Sequence, residues 1–348
     1  MGVGWLFLLF AATAVAATYQ AGAWSVDVSV APDKSVILLG EPTFLSFTVK
    51  NLSAEDLQIL VGGDYRNELG RPGSFQVRVQ RSDGQWVDQP KVGFSAGGLI
   101  GPQPLPAGGT YVFRLFLPHW ATFAHAGFHS VSCRRTLQLL PARAARDFAR
   151  QPTTDVTTEA DTKLEVVPRD VAALGELIAQ YGEEMLRAEG GKAGDDAVLA
   201  LAWIDDPRVV PYFRRAFAIR SYALKFIALH ALGKFATDDA FAGLQAGMKT
   251  KPADLDSTAP DQAVNSAANI RMAAAVALRQ CGHPMAREFL LAQRDDASEG
   301  VRITVLHALA ELPDARAVPM LEEMTEDSSP RVRAEARRYL AMRKTKTK

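Results

Sequence analysis

Five leucines recur at one equivalent position along the second half of the chain. Leu201, Leu232, Leu278, Leu309 and Leu340 are separated by 31, 46, 31 and 31 residues. Ala precedes the first four and Tyr339 the last. Seven residues upstream of four of them stands a basic side chain: Lys225, Arg271, Arg302 and Arg333. A unit of this length holds two helices of about eleven residues, too short to bury their apolar faces alone. Stacked units bury a continuous core, so the repeat predicts an α-solenoid of about five helix pairs over residues 169–343. The 46-residue interval is one unit plus about fifteen residues, in the stretch that begins "KTKPADLDSTAPDQAV" at Lys249. Insertions in such arrays map to loops on one face, so residues 249–264 are expected to form a surface loop outside the packed repeat.

The first half has a different period. "TFLSFTVKN" from Thr43, "SFQVRVQ" from Ser74, "TYVFRLFLP" from Thr110 and "FHSVSC" from Phe128 alternate apolar and polar residues, as half-buried strands do. "SDG" at Ser82, "PAGG" at Pro106 and "HAG" at His125 are turn signals between them. Short strands at this spacing without intervening helices predict an antiparallel β-sandwich of immunoglobulin-like type over residues 18–168. The segment from Pro141 to Thr162 breaks the alternation and reads as an excursion before a last strand, "KLEVVP" at Lys163. "LPHWATF" reads as an end loop, with Trp120 and Phe123 packed on the core. The fold class is therefore multidomain β + α.

Residues 1–17 carry an apolar run ending in Ala14-Val15-Ala16, an A-x-A pattern, although no Lys or Arg precedes it. The run is short for a bilayer span and reads as a cleaved signal peptide. The expectation is an exported protein, periplasmic or extracellular, without stable membrane insertion unless that segment is retained. Cys133 and Cys281 fall in different predicted domains and are expected to be buried free thiols. Lys and Arg number 39, as do Asp and Glu, and this balance argues against nucleic acid as a partner. The basic residues 344–348 read as a solvated tail.

In the helical half, Asp296-Ala-Ser-Glu-Gly-Val301-Arg302 and Asp327-Ser-Ser-Pro-Arg-Val332-Arg333 share one pattern: Asp, four residues, Val-Arg, then an apolar helix. This resembles the HEAT family, in its short HEAT-like form named for phycobilisome lyases. The resemblance covers roughly residues 170–345. It implies a ladder between neighbouring repeats built by Asp296, Arg302, Asp327 and Arg333, with the following helices lining a concave face. Ile219 and Asn265 stand where Asp belongs in earlier units, and Gly194 where Arg belongs. The β half is similar, more loosely, to secreted immunoglobulin-like domains and to the bacterial proteinase-inhibitor sandwich. The shared features are "FTVKN" at Phe47, "FQVRVQRSDG" at Phe75 and "GFHSV" at Gly127.

No catalytic constellation emerges. H-E-x-x-H and a phosphate loop are absent from the sequence. His125, His129 and Cys133, four apart on one strand, would place successive members about 13 Å apart, too far to share an ion. Asp64, Asn67 and Glu68 match no calcium-loop spacing. Cys281 with His283 resembles a dyad, but Cys281 closes a repeat helix and packs as a small hydrophobe. The expectation is no metal, no cofactor and no catalytic residue.

The basic column remains. Arg302 and Arg333 have carboxylates in the preceding turn, whereas Lys225 and Arg271 lack them and so are free to bind. With His230 and His307, which share the position before Ala-Leu, and Lys234, they form the candidate binding set: Lys225, His230, Lys234, Arg271 and His307. The function expected is a non-catalytic scaffold that binds a protein or peptide through the concave face. The alternatives are a lyase or isomerase of HEAT-like type, and a proteinase inhibitor acting through a sandwich loop.

Overall fold

Alternating burial organises the first half. Along β2 (Trp24–Pro32) the valines at 26, 28 and 30 are fully buried while the residues between them are half-exposed. A two-residue loop joins β1 (Ala17–Ala21) to β2, with Ala21 opposite Trp24. Its first residue, Gly22, has φ +62°, the conformation that position requires in a type II′ hairpin. The computed structural model describes residues 16–62, 74–91, 101–142, 152–187, 192–256, 259–311 and 317–346. The chain divides into two units, Met1–Leu174 and Gly175–Lys348.

The first unit adds β3 (Val36–Leu38), β4 (Phe44–Asn51), β5 (Leu57–Val61), β6 (Phe75–Arg81), β7 (Gly101–Leu105), β8 (Thr110–Phe116), β9 (Gly127–Pro141) and β10 (Thr154–Val167). One sheet runs β1-β2-β4-β8. The other runs β3-β10-β9-β5-β7, with β6 also paired to β9. Val28, Val30 and Phe47 of the first sheet share one core with Val131, Cys133 and Leu139 of the second. Trp120 is buried and Phe123 packs on that core, as the sequence predicts.

Two expectations need correction. The pairing is not antiparallel throughout, because β3 lies parallel to β10, with Val36 opposite Glu165. Three residues are too few to carry an alternation, so the sequence held no notice of this strand. The last strand also begins at Thr154 rather than Lys163. Its inward positions include Thr158 and Thr162, which are buried, and the Thr158 hydroxyl donates to the Arg135 carbonyl at 3.0 Å. Threonine facing inward conceals the alternation. The apolar run at residues 1–15 and the Asp64, Asn67 and Glu68 stretch lie outside the described residues.

The helical half comprises α1 (Val171–Arg187), α2 (Lys192–Trp203), α3 (Val210–Ala216), α4 (Tyr222–Leu232), α5 (Asp238–Met248), α6 (Pro260–Gln280), α7 (Ala286–Leu291), α8 (Glu299–Ala310), α9 (Ala317–Glu323) and α10 (Pro330–Lys346). Side-chain caps start several of them. Ser221 accepts from the Leu224 N–H, Thr237 from the Ala240 N–H, and Ser329 from the Val332 N–H. The repeat leucines fall on α2, α4, α6, α8 and α10, which pack in that order, each on the next. Leu201, Leu232, Leu278 and Leu309 are at most 1% exposed and the alanines before them are equally enclosed, so the repeated pair is the core. Each such leucine contributes about 2 kcal/mol by burial. Gly243 and Gly247 on α5 let α4 approach: a Cβ on Gly247 would stand 2.5 Å from Leu229 Cδ2.

The expected loop at 249–264 is exposed at most of its described positions, but it is anchored by buried Thr250, Leu255 and Ala263 and is not free of regular structure. Residues 260–264 form the first turn of α6, with Ala263 buried. Before them a 3-10 turn, Pro252–Asp254, leads to Leu255, which is 1% exposed. One backbone bond and one side-chain bond fasten it, since the Asp256 N–H donates to the Arg220 carbonyl and Arg220 Nη2 to the Leu255 carbonyl. Low hydrophobicity misled the reading, because one leucine anchors the strap. Likewise α10 continues to Lys346, so the tail from 344 is partly helical.

Candidate functional site

The turn before each of the last two repeat helices is built by an aspartate. Asp296 accepts from the Ser298 N–H at 2.8 Å and Asp327 from the Ser329 N–H at 2.7 Å. Each carboxylate also receives an arginine from the preceding unit. Arg271 meets Asp296 through Nε and Nη2 at 2.8 and 3.0 Å, and Arg302 meets Asp327 through the same atoms at 2.9 Å each. These are two-point, charge-assisted bonds with matched planar geometry. Arg302 and Asp327 side chains are both 12% exposed. The hydrogen bond raises the Arg302 guanidinium, and Arg302 holds the Asp327 carboxyl below its ordinary range.

This ladder corrects the expected partners. Arg302 takes only carbonyls from its own turn, with Nη1 donating to Asp296 and Ala297 at 2.9 and 3.3 Å. Arg333 does likewise with Asp327 and Ser328, at 2.6 and 3.0 Å. Arg271, expected to lack a partner, is a full member of the ladder. Lys225 is 2% exposed and its ammonium donates to the Phe217 carbonyl. Burial lowers its pKa, with Asp254 opposing that shift. Neither Arg271 nor Lys225 stands free at a surface. Their spacing in sequence reveals the column, but not a reach of 25 residues forward.

His230 and His307 have a different setting. Equivalent positions on the stacked helices α4, α6, α8 and α10 fall on one side of the unit. On α4, Tyr222, Phe226 and His230 form a ridge at four-residue spacing, with ring centroids 6.0 and 5.0 Å apart. Met272 and Val276 follow on α6, half-buried, and Thr304 and His307 on α8. On α10 Glu335 approaches His307 at 3.8 Å, Tyr339 edges it at 5.5 Å, and Arg338 lies over Tyr339 at 4.7 Å. His230 as a residue is exposed, yet its ring is partly desolvated beside Phe226, and that lowers its pKa. The face is a band of aromatic, thioether and aliphatic surface that ends in a charged cluster. Tyr222 and Phe226 were missed as candidates, although their spacing of four was readable.

Lys234 follows α4. It is exposed, its ammonium donates to the Ala202 carbonyl, and desolvation lowers its pKa against the pull of Asp205. A polar cleft along the loop edge is lined by Arg294, Asp295, Glu323, Met324, Glu326 and Ser328. Arg294 lies 3.5 Å from Glu323 there.

The thiols offer no nucleophile. Cys133 and Cys281 are both free and buried, and burial pushes the Cys133 thiol up to about 12. Cys281 Sγ donates to the Leu278 carbonyl at 3.2 Å. His283 bonds Asp238 at 3.0 Å and stacks on Phe241 at 4.2 Å, so it is fixed by other partners. His125 lies in the turn before β9 rather than on the strand. His129 points into the core against Phe123, where desolvation lowers its pKa.

A family model described as HEAT repeats matches residues 261–341, the span of α6 to α10. No curated protein matches the chain. Among solved structures, human deoxyhypusine hydroxylase in complex with glycerol is similar at 15% identity, over 49% of this chain and 97% of that one, with a TM-score of 0.20. The native conformation of E. coli alpha-2-macroglobulin is similar at 12% identity, over 89% of this chain, with a TM-score of 0.21. This chain covers 24% of the macroglobulin's length.

Proposed function

We propose that the chain is an exported, non-catalytic interaction protein whose helical repeats bind a protein or peptide. The binding surface is the side of α4, α6, α8 and α10 that bears the ridge, the concave face in the HEAT-like reading. The observation that carries this is the band from Tyr222 through Val276 and His307 to Tyr339, presented by helices whose opposite sides form a continuous core. Aromatic and methionine side chains of this kind anchor protein interfaces, with charge at the rim. The repeats are read as the short HEAT-like variety on their Asp-x4-Val-Arg turns. The β unit is read as immunoglobulin-like, since the orders β2-β4-β8 and β5-β9-β10 match A-B-E and C-F-G.

Export rests on the A-x-A run, and β1 begins at Ala17, directly after it. No described helix is long and apolar enough to cross a membrane. The test is capture of partners from the extracytoplasmic fraction by the full chain and by a Val276→Glu/Thr304→Glu variant. The variant should keep its helical circular dichroism and lose the partner. Retention of the partner at equal yield would remove this face from the proposal.

A further inference from the structure

The outward face of the second sheet carries a track of polar side chains between two exposed aromatics and a pocket. On β6, Gln76, Arg78 and Gln80 alternate with buried residues and point outward, and β9 sets Arg134, Ser132 and Ser130 directly opposite them. Trp86 bridges to Gln80, so it shares that face, and it is 59% exposed. Phe128, 62% exposed, takes the next outward position on β9 beyond Ser130.

At the other end lies a pocket of about 350 Å³, lined by Ser74, Gln76, Arg134, Arg135, Thr136 and Gln138. None of these described lining residues is a carboxylate. Arg135, 5% exposed, is held between the rings of Phe75 and Phe113 at 4.3 Å each, and its Nη1 donates to Ser74 Oγ at 3.0 Å. The Ser74 hydroxyl accepts that bond, so its own proton is directed elsewhere.

Two further arginines on the track have no carboxylate within ion-pair distance among the described residues. Arg78 lies over the Trp86 ring, 5.8 Å from its centroid. Arg134 stands opposite Glu159 of β10, but the Glu159 carboxylate takes the Ser132 hydroxyl at 2.8 Å instead. The outward acids of β10, Asp155, Glu159, Asp161 and Glu165, thus run along one side of the track and line none of the pocket. Arg134 remains beside the pocket, about 13 Å along the strands from the row of Trp86.

We propose that this face binds an acidic glycan, with one hexuronate ring in the pocket and its carboxylate on the Arg134 guanidinium. A carboxylate matches that planar fork at two points. The Gln76 and Gln138 amides and the Ser74 hydroxyl suit sugar hydroxyls, since each can donate and accept. The volume is at the small end of ligand pockets and has room for a single ring. Along the track the chain passes Arg78 and lays the apolar C–H face of a sugar on Trp86. This site belongs to the β unit, and it stands or falls separately from the ridge on the helices.

The probes are two acidic trisaccharides, α-1,4-trigalacturonate and β-1,4-triglucuronate, each beside its neutral counterpart, galactotriose and cellotriose. They are titrated into the full chain while backbone amide resonances are followed by NMR. The expected result is a saturable shift at Gln76, Arg134 and Thr136 with at least one uronate, and binding of its neutral counterpart at least fivefold weaker. Arg134→Gln should weaken the uronate at least fivefold, and Trp86→Ala at least twofold. Both side chains are exposed, so circular dichroism of the two variants should match the parent. The Val276→Glu/Thr304→Glu variant should bind the sugar as the parent does. Absence of a saturable shift with both uronates, or equal binding of the neutral counterpart, would overturn the proposal. Inorganic sulfate that displaces the uronate at a lower concentration than the uronate itself would also overturn it, making the pocket a general anion site.

Discussion

Arg302 and Asp327, 25 residues apart, close a two-point hydrogen bond at 2.9 Å on each arm, with both side chains 12% exposed. The pair ties one repeat to the next. Partly buried, fork-shaped pairs hold geometry even where their net energy is modest.

Arg302→Ala should destabilise the helical half by about 2 kcal/mol, and Asp327→Ala by a similar amount. The double variant should cost clearly less than the sum, with a coupling of about 1 kcal/mol or more. Urea unfolding followed by helical circular dichroism measures the cycle. Additivity would mean that the two side chains act independently.

Acid should weaken the same bond. Asp327 has a folded pKa below its unfolded value, so its stabilisation is full above the ordinary carboxylate range of about 4. It is lost as pH falls through the lower, folded value. The stability difference between the parent and Asp327→Asn should therefore be flat from pH 7 to about 5 and shrink below about 4. A difference that grows on acidification would contradict the assignment.

Gly247→Ala gains about 1 kcal/mol of helix propensity in principle. Its new methyl would meet Leu229 Cδ2 at 2.5 Å and Ala274 Cβ at 3.0 Å, with Leu229 and Ala274 fully buried. Overpacking should win, and thermal unfolding should register a net loss of roughly 1–2 kcal/mol.

The strap before α6 yields a contrast with its sequence. Replacing Lys251–Ala263 by a short Gly-Ser turn removes Leu255 and the first turn of α6. It should cost about 2 kcal/mol or more, rather than the small closure term of a free loop. A loss below about 0.5 kcal/mol in denaturant unfolding would show that the strap is dispensable.

Much of this architecture is legible in the chain. The Ala-Leu repeat locates the core, because one buried pair per unit is what stacking demands, and four of the five leucines are fully enclosed. The alternation at Phe47 and Phe75 locates two of the core strands. What is hidden is non-local or carried by weak letters. Val36–Leu38 is too short to show a period, Thr154–Thr162 turns threonines inward, and a single Leu255 fastens a polar strap. The site is less legible still. Lys225 and Arg271 look unpartnered when only nearby residues are searched, yet their partners are a carbonyl eight residues back and an aspartate 25 residues ahead. Tyr222 and Phe226 escape notice because an aromatic ridge on a helix has the same spacing as a core face.

The central claim is that the ridge-bearing side of α4, α6, α8 and α10 contacts a partner. A photo-crosslinking amino acid placed singly at positions 276, 307 and 246 of the full chain tests it most directly. Positions 276 and 307 lie on that face, whereas Ala246 is exposed on α5 in the other helix layer. The account predicts one discrete adduct of the same mass from 276 and 307 and none from 246. Adducts of equal yield from 246, or none from 276 and 307 while the partner still co-purifies, would contradict it.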